Sequence, residues 1–137
     1  MKKLVLILMS SFFFNCSSDD NKIENENLLG KWKLIEQYSD PGDGSGSFNS
    51  IESDREIEFF SNGTVTINGI LCYMSLEVDN QSYGTFNETV SEDFDGEILP
   101  EGCDNEGRKI YYQLDDSNLI LWYLCIEGCG QKFVKVE

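Results

Sequence analysis

The chain has 137 residues, with 25 Asp and Glu against 10 Lys and Arg, no histidine, and a formal net charge of −15. Its length suits one domain with a short extension, and its charge argues against nucleic-acid binding, which needs basic contacts to phosphates. Without histidine, a serine or cysteine nucleophile lacks its usual general base. We therefore expect a protein that is not an enzyme and uses no cofactor.

The chain starts with a short apolar segment behind a basic beginning. Lys2 and Lys3 precede eleven residues, 4–14, that are apolar except for two serines. A helix needs about 20 residues to span a bilayer, so this pattern is that of a secretory signal. A buried helix of the folded domain is the alternative, but the segment has no polar face to turn toward water. We assign residues 1–15 to a signal peptide.

A single cysteine, Cys16, lies between the apolar segment and the acidic run "SSDDN". A short signal ending at cysteine resembles the signal of bacterial lipoproteins, which implies that Cys16 is acylated, for example with palmitate, and anchors the chain in a membrane. Stable anchoring takes more than one acyl chain, as a di- or triacylated cysteine provides. The acidic run resembles the export signal of Bacteroidetes lipoproteins, which implies an outer-membrane, surface-exposed protein; a solvated tether is the alternative. Residues 16–27 are then the acylated N-terminus and a flexible acidic tether.

The remaining residues, 28–137, alternate between apolar and polar side chains as short β-strands do. "LLGKWKLIEQY" begins this pattern, and its period places Trp32, Leu34, Glu36 and Tyr38 on one face. The segment "SDPGDGSGSFNS" that follows predicts a loop of about a dozen residues. Further strands are predicted in "REIEFF", "TVTI", "SYGTFNETV", "FDGEIL", "RKIYYQL", "LILWYLC" and "QKFVKV".

Turn signals connect these strands. Asn62-Gly63 between two apolar runs predicts a hairpin, and residues 70–82 fit either a strand or an irregular crossing held by Cys72. About eight short strands without an amphipathic helix predict an all-β fold. An antiparallel up-and-down barrel suits a small exported domain because it leaves no free sheet edge.

Four cysteines remain after Cys16, at spacings of 31, 22 and 4 residues. An even number in an exported chain predicts two disulfides. We favour Cys125 with Cys129, which would face each other across a hairpin, and hence Cys72 with Cys103. Chain-entropy arguments assign about 2 kcal/mol to the short loop and about 3.7 kcal/mol to the long one. A zinc site is the alternative, but the spacings lack the paired short-spaced thiolates of structural zinc sites.

The segment "NLLGKWKL" resembles the first-strand signature of the lipocalins, with Gly30 and Trp32 in its Gly-x-Trp. The ordered set "LLGKWKLIE", "DPGDGSGSF", "IEFFSNGTV" and "NLILWYLCIEGCGQKFVKV" resembles the lipocalin-like domain of Bacteroidetes lipoproteins. This resemblance implies a lipocalin-like β-barrel over residues 28–137, with the tryptophan plugging one end. It also implies a basic side chain, late in the barrel, stacked on that tryptophan. The candidates are Arg108, Lys132 and Lys135.

An eight-stranded barrel has an interior that side chains fill or that holds one small ligand. Since ligand pockets are mostly apolar, we predict that the domain binds a small hydrophobic molecule or an envelope component without catalysis. The alternative is a structural or protein-interaction module with a filled core, whose long loops at residues 39–53 and 91–107 form the contact surface. The candidate ligand-binding residues are Tyr38, Phe86, Tyr112 and Trp122.

Carboxylates cluster in "SEDFDGE" and "SDPGDGSG". Calcium loops place carboxylates at alternate positions together with a glycine, but neither segment completes the twelve-residue pattern. We interpret both as solvated turns and predict no metal.

Overall fold

The computed structural model describes residues 25–89, 91–104 and 107–137, and within these ranges every regular element is a β-strand. The predicted signal peptide and Cys16 lie outside the described residues. Among the described residues, no helix has the length and apolar character needed to cross a bilayer. The strands are β1 (Gly30–Ser39), β2 (Ser47–Ser50), β3 (Glu56–Phe59), β4 (Thr64–Asn68), β5 (Gln81–Glu88), β6 (Gly96–Pro100), β7 (Ile110–Asp115), β8 (Asn118–Tyr123) and β9 (Cys129–Lys135).

The nine strands close into an eight-stranded barrel. Every pairing is antiparallel, and β1 pairs with β9 to complete the circle. Strands β2 and β3 pair with the same edge of β1, β2 opposite Glu36 to Ser39 and β3 opposite Gly30 to Lys33. Together, β2 and β3 therefore occupy one of the eight strand positions of the barrel, with a break between them. The prediction of an all-β, up-and-down barrel is confirmed, whereas the predicted loop through Ser50 is wrong at its end, which forms β2.

A bulge in β1 changes which side chains face inward. Its register with β9 shifts between Leu34 and Glu36, and side chains alternate between the two faces of a strand. Trp32 and Leu34 are buried inside the barrel, but beyond the bulge the parity reverses and Tyr38 contacts rings on the outer surface. The prediction that Tyr38 shares a face with Trp32 is therefore wrong.

Side chains fill the barrel interior. Phe59, which pairs with Gly30, packs edge-to-face against two other buried rings, with centroid distances of 5.1 Å to Phe86 and 6.1 Å to Tyr112. Burial raises the pKa of Tyr112, since the ionised phenolate would lose its hydration, and the charges of Glu88 and Asp95 act in the same direction. The buried apolar core comprises Leu28, Trp32, Leu34, Ile57, Phe59, Val65, Ile67, Leu71, Phe86, Ile98, Ile110, Tyr112, Leu119, Leu121, Tyr123 and Phe133.

We call the end of the barrel at which β1 begins the base. There the indole Nε1 of Trp32 donates a hydrogen bond to the Leu28 carbonyl oxygen at 2.9 Å, so the chain entry covers this end. Lys135 Nζ lies 5.4 Å from the Trp32 ring centroid, and of the three candidate basic residues it is the one over this ring. Gly30 has a φ of 109°, and a Cβ there would collide with the carbonyl oxygen of Glu137, so this position needs glycine.

We call the opposite end the mouth. It carries residues 40–46, 69–80, 101–104 with 107–109, and 124–128, which join the strands there. Residues 69–80 form no strand and cross the mouth, and Leu71 within them is fully buried in the core. Of the two interpretations of residues 70–82, the irregular crossing is the one observed for residues 70–80, whereas Gln81 and Ser82 already belong to β5. We call residues 69–80 the crossing.

The two predicted disulfides are both present at the mouth. Cys72 is joined to Cys103, with 5.6 Å between their Cα atoms, and Cys125 is joined to Cys129. The first ties the crossing to the β6–β7 connection, and the second closes the β8–β9 hairpin. All four sulfurs are therefore used in covalent bonds rather than in the alternative zinc site.

Candidate binding groove at the barrel mouth

The four predicted ligand-binding residues lie on two sides of the barrel wall. Phe86 and Tyr112 are inside, in the filled core. Tyr38 and Trp122 are on the outer surface, with 5.5 Å between their ring centroids, and both rings pack edge-to-face against Phe48 of β2. The structure thus divides these residues between two clusters, and of the four it is Tyr38 that borders an open groove.

This groove lies at the mouth, has a volume of about 610 Å³ and is open to solvent. Three segments form it: the end of β1, the crossing and the closed β8–β9 hairpin. We refer to it as the mouth groove. Its lining residues are Gln37, Tyr38, Ser39, Asp40, Met74, Cys125, Ile126, Glu127, Gly128 and Cys129.

Local sequence explains how two of these segments hold their shape. The Asp40 carboxylate accepts hydrogen bonds from the backbone N–H groups of Gly42, at 2.8 Å, and Gly44, at 3.3 Å. Asp43 accepts from the hydroxyl and the N–H of Ser45, and the hydroxyl bond is the main reason that the pKa of Asp43 is lowered. Local carboxylate-to-backbone bonds of this kind stabilise turns. The loop that flanks the groove is therefore ordered by its own side chains.

The β8–β9 hairpin, which forms another side of the groove, is closed by the Cys125–Cys129 disulfide. Gly128, with a φ of 82°, turns the chain over the Tyr38 ring, and a Cβ at this glycine would lie 3.2 Å from that ring. Ile126 at the tip of the hairpin is fully exposed, at 101% of its reference area, and Leu124 is 64% exposed. The hairpin thus carries large apolar side chains into solvent beside the groove.

Exposed apolar residues are concentrated at this end of the barrel. Of the eight large apolar side chains that are exposed in the described chain, five lie on the crossing or the hairpin. Grouped exposure of this kind marks an interaction or ligand site more often than scattered single residues do. We call these five residues the mouth rim: Tyr73, Leu76, Val78, Leu124 and Ile126.

A buried polar network lies beneath the crossing. Arg55 is fully buried, and its guanidinium donates to the carbonyl oxygens of Ile70 and Glu77, the latter at 3.0 Å. Gln131, also fully buried, donates to the Ser75 carbonyl oxygen at 2.8 Å. These bonds satisfy crossing carbonyls that would otherwise be buried without a donor. The crossing is therefore an ordered part of the fold that covers the core at the mouth.

Tyr123 completes this network. Its hydroxyl donates to Gln131 Oε1 at 3.0 Å, and full burial raises the pKa of Tyr123 despite the nearby Arg55 guanidinium. Two buried atoms of the network region, Arg55 Nε and Gln37 Oε1, have no hydrogen-bond partner among the described residues. An unsatisfied buried polar atom costs about 1–3 kcal/mol. The Gln37 oxygen belongs to a residue that lines the mouth groove.

Arg55 and Gln131 are interior residues that were not predicted from the sequence. The signal for Arg55 was present, because "REIEFF" alternates and puts Arg55 on the face of Ile57 and Phe59. Gln131 shares the inward face of β9 with Phe133 and lies opposite Gln37 across the β1–β9 pairing. Arg and Gln are mostly exposed in folded proteins, so residue type by itself does not indicate that these two are buried.

The acidic segment "SEDFDGE" makes contacts within the protein. Asp95 Oδ2 accepts a hydrogen bond from the Leu114 N–H at 2.7 Å, and Glu97 forms an ion pair with Lys109 at 2.8 Å. In the described ranges no three Cys, Asp or Glu side chains are grouped so that they could hold a metal ion.

Comparison of the chain with protein-family models, with curated proteins and with solved structures finds no match. The candidate site is an open groove with both apolar and polar lining residues, at one end of a barrel whose interior holds a core of buried side chains.

Proposed function

We propose that this chain is a lipid-anchored, lipocalin-like binding domain that takes a small hydrophobic molecule in the mouth groove without catalysing a reaction. The observation that carries the proposal is the combination of a filled interior with an open groove of about 610 Å³ beside an apolar rim. Ligand pockets commonly have volumes of about 300–1,000 Å³ and apolar linings with few polar groups. The mouth groove has a volume in that range and somewhat more apolar than polar surface in its lining, whereas the barrel interior is occupied by side chains.

The path of the chain suits an anchor at the opposite end. The described chain begins at the base, where the N–H of Asn25 donates to Glu88 Oε1 and Lys135 donates to the Asn27 carbonyl oxygen. A lipid on Cys16 would therefore tether the barrel by its base, with the mouth at the far end. This arrangement supports a groove that is open to the surroundings of an outer membrane, and exposure at the cell surface is part of the proposal.

Anchoring predicts a specific mass at the N-terminus. In protein extracted from the membrane fraction of its own cells, we expect the N-terminal peptide to start at Cys16 and to carry two or three acyl chains, since more than one is needed for stable anchoring. Cys16→Ala should release the protein from the membrane fraction, whereas Ser17→Ala should leave it there. An unmodified Cys16 in membrane-derived protein would contradict the anchoring part of the proposal.

Binding at the mouth predicts a response to an uncharged apolar probe. We expect 1-octanol to bind the purified domain in calorimetric titrations, and Met74→Ala to weaken that binding by about fivefold because a partly buried apolar contact is lost. Phe60→Ala is the matched control, since Phe60 is an exposed apolar residue in the β3–β4 turn at the base, the opposite end of the barrel from the groove. If octanol does not bind the folded protein, the small-molecule proposal fails.

The mouth rim favours a second candidate function, a protein-interaction module. Ile126 and Leu124 project from a disulfide-clipped hairpin and could enter a pocket on a partner. The contact surface would differ from the one predicted from the long loops, because residues 91–107 contain β6 and run from the base to the mouth. This second function would be favoured if the folded domain does not bind octanol and if Ile126→Ser abolishes its binding to a partner protein.

A further inference from the structure

The charged groups in the lining of the mouth groove have one sign. They belong to Asp40 and Glu127, both carboxylates, and the lining includes no Lys or Arg. We infer that the ligand is an organic cation, an ammonium group on an apolar chain or ring. This inference rests on the proposed function, which it narrows from hydrophobic molecules in general to cationic amphiphiles.

The two carboxylates belong to segments that meet at the groove. Asp40 follows the end of β1, and Glu127 lies in the β8–β9 hairpin, yet a Cβ on Gly42 would be 3.0 Å from Glu127 Oε1. The loop after Asp40 therefore packs against the Glu127 side chain. Because the lining carries these two carboxylates and no Lys or Arg, it attracts an ammonium group even at a partly solvated site.

The surrounding mouth strengthens the negative field. Its connecting loops also carry five exposed acids, and clefts lined by one sign of charge concentrate counter-ions and speed their association. The basic residues of the same loops are engaged elsewhere: Arg108 donates to the Cys72 carbonyl oxygen at 3.0 Å, and Lys109 pairs with Glu97. The five acids are Asp43, Glu77, Asp79, Glu101 and Asp104.

The basic residue nearest to the Tyr38 cluster is also paired. Lys132 Nζ lies 2.6 Å from a Glu36 carboxylate oxygen and 4.5 Å from the centroid of the Phe48 ring. Lys132 is on the outer wall and does not line the groove. Its charge is thus offset by Glu36 and does not cancel the two carboxylates of the lining.

The apolar parts of the lining suit the remainder of such a ligand. Tyr38 is held in place by Phe48 and Trp122, at centroid distances of 5.3 and 5.5 Å, so its ring is a fixed wall of the groove. Aromatic faces attract organic cations, and thioether and disulfide sulfur from Met74 and the Cys125–Cys129 bridge supply a polarisable surface for an alkyl chain. A carboxylate-bearing amphiphile of the same length would meet the same apolar surface but the opposite sign of charge.

A series of three probes with the same alkyl chain tests the inference: octylammonium, 1-octanol and octanoate, titrated by calorimetry at low and high ionic strength. We expect octylammonium to bind about tenfold more tightly than 1-octanol, octanoate to bind least tightly, and the preference for octylammonium to shrink as salt rises. Glu127→Gln and Asp40→Asn should each lower the ratio of ammonium to alcohol affinity by about two- to fivefold, because each removes one negative charge from the lining. Glu92→Gln, an exposed acid near the base, is the control and should leave the ratio as it is.

The outcomes separate this inference from the proposed function. If 1-octanol binds as tightly as octylammonium, the cation preference is wrong and the apolar groove remains. If Glu92→Gln lowers the ratio as much as Glu127→Gln does, the preference comes from net charge alone and the assignment to the groove is overturned. If 1-octanol does not bind at all, the small-molecule function itself fails.

Discussion

Replacing Phe59 with alanine is expected to lower the free energy of unfolding by about 3–5 kcal/mol, as measured by urea denaturation. Phe59 is 2% exposed, and its ring lies edge-to-face against Phe86 and Tyr112. Removing the ring loses its transfer free energy, the aromatic contacts and the packing around the space left behind. The size of the effect reports whether the barrel interior is filled.

Phe60→Ala is the matched control for this prediction. Phe60 is the next residue along the chain, but it is 37% exposed in the turn between β3 and β4. Its backbone N–H bonds to the Thr64 carbonyl oxygen, a contact that alanine retains. We expect a loss below about 1 kcal/mol there. Equal losses at the two positions would contradict the filled interior, and with it the argument that ligands bind at the mouth.

Removing the long disulfide, by Cys72→Ala together with Cys103→Ala, is expected to cost about 3.7 kcal/mol of unfolding free energy. The bond closes a loop with a sequence separation of 31 residues, so the unfolded chain gains much freedom when it is absent. It also ties the crossing to the β6–β7 connection. The measurement is urea denaturation under non-reducing conditions, with the slope of the transition checked against the wild-type protein.

The short disulfide provides the comparison. Cys125→Ala with Cys129→Ala opens a loop with a separation of only 4 residues and should cost about 2 kcal/mol. The long bridge should also limit the opening of the crossing, so native-state hydrogen exchange in residues 69–80 should rise mainly in the Cys72 and Cys103 variant. If the short bridge proves the more stabilising of the two, the chain-entropy account of both is wrong.

The crossing shows what could not be predicted from local pattern. Residues 69–80 have no regular period, because their contacts are with the barrel rather than with a neighbouring strand. Arg55, which precedes β3, and Gln131 of β9 are 76 positions apart in the sequence, yet both donate hydrogen bonds to carbonyl oxygens of the crossing. Only the closed barrel brings these side chains under the same segment. The groove between Met74 and the β8–β9 hairpin therefore could not be predicted from the sequence.

By itself, the sequence determined the all-β class, the hairpin at Asn62-Gly63 and the Cys125–Cys129 pair, because short-range alternation, turn chemistry and close cysteine spacing are local properties. The Cys72–Cys103 pair followed by elimination, and the place of Trp32 at one end of the barrel followed from the resemblance to lipocalins. The tertiary structure decided on which side of the wall Tyr38 lies. A one-residue bulge reverses the direction of every later side chain in a strand, and the register with a partner about a hundred residues away sets where that bulge falls. The same long-range pairing places Lys135 opposite Trp32, so that Lys135 is the basic residue over the Trp32 ring. It also places Tyr38 at a groove at the mouth, so the candidate site lies there and not in the barrel interior.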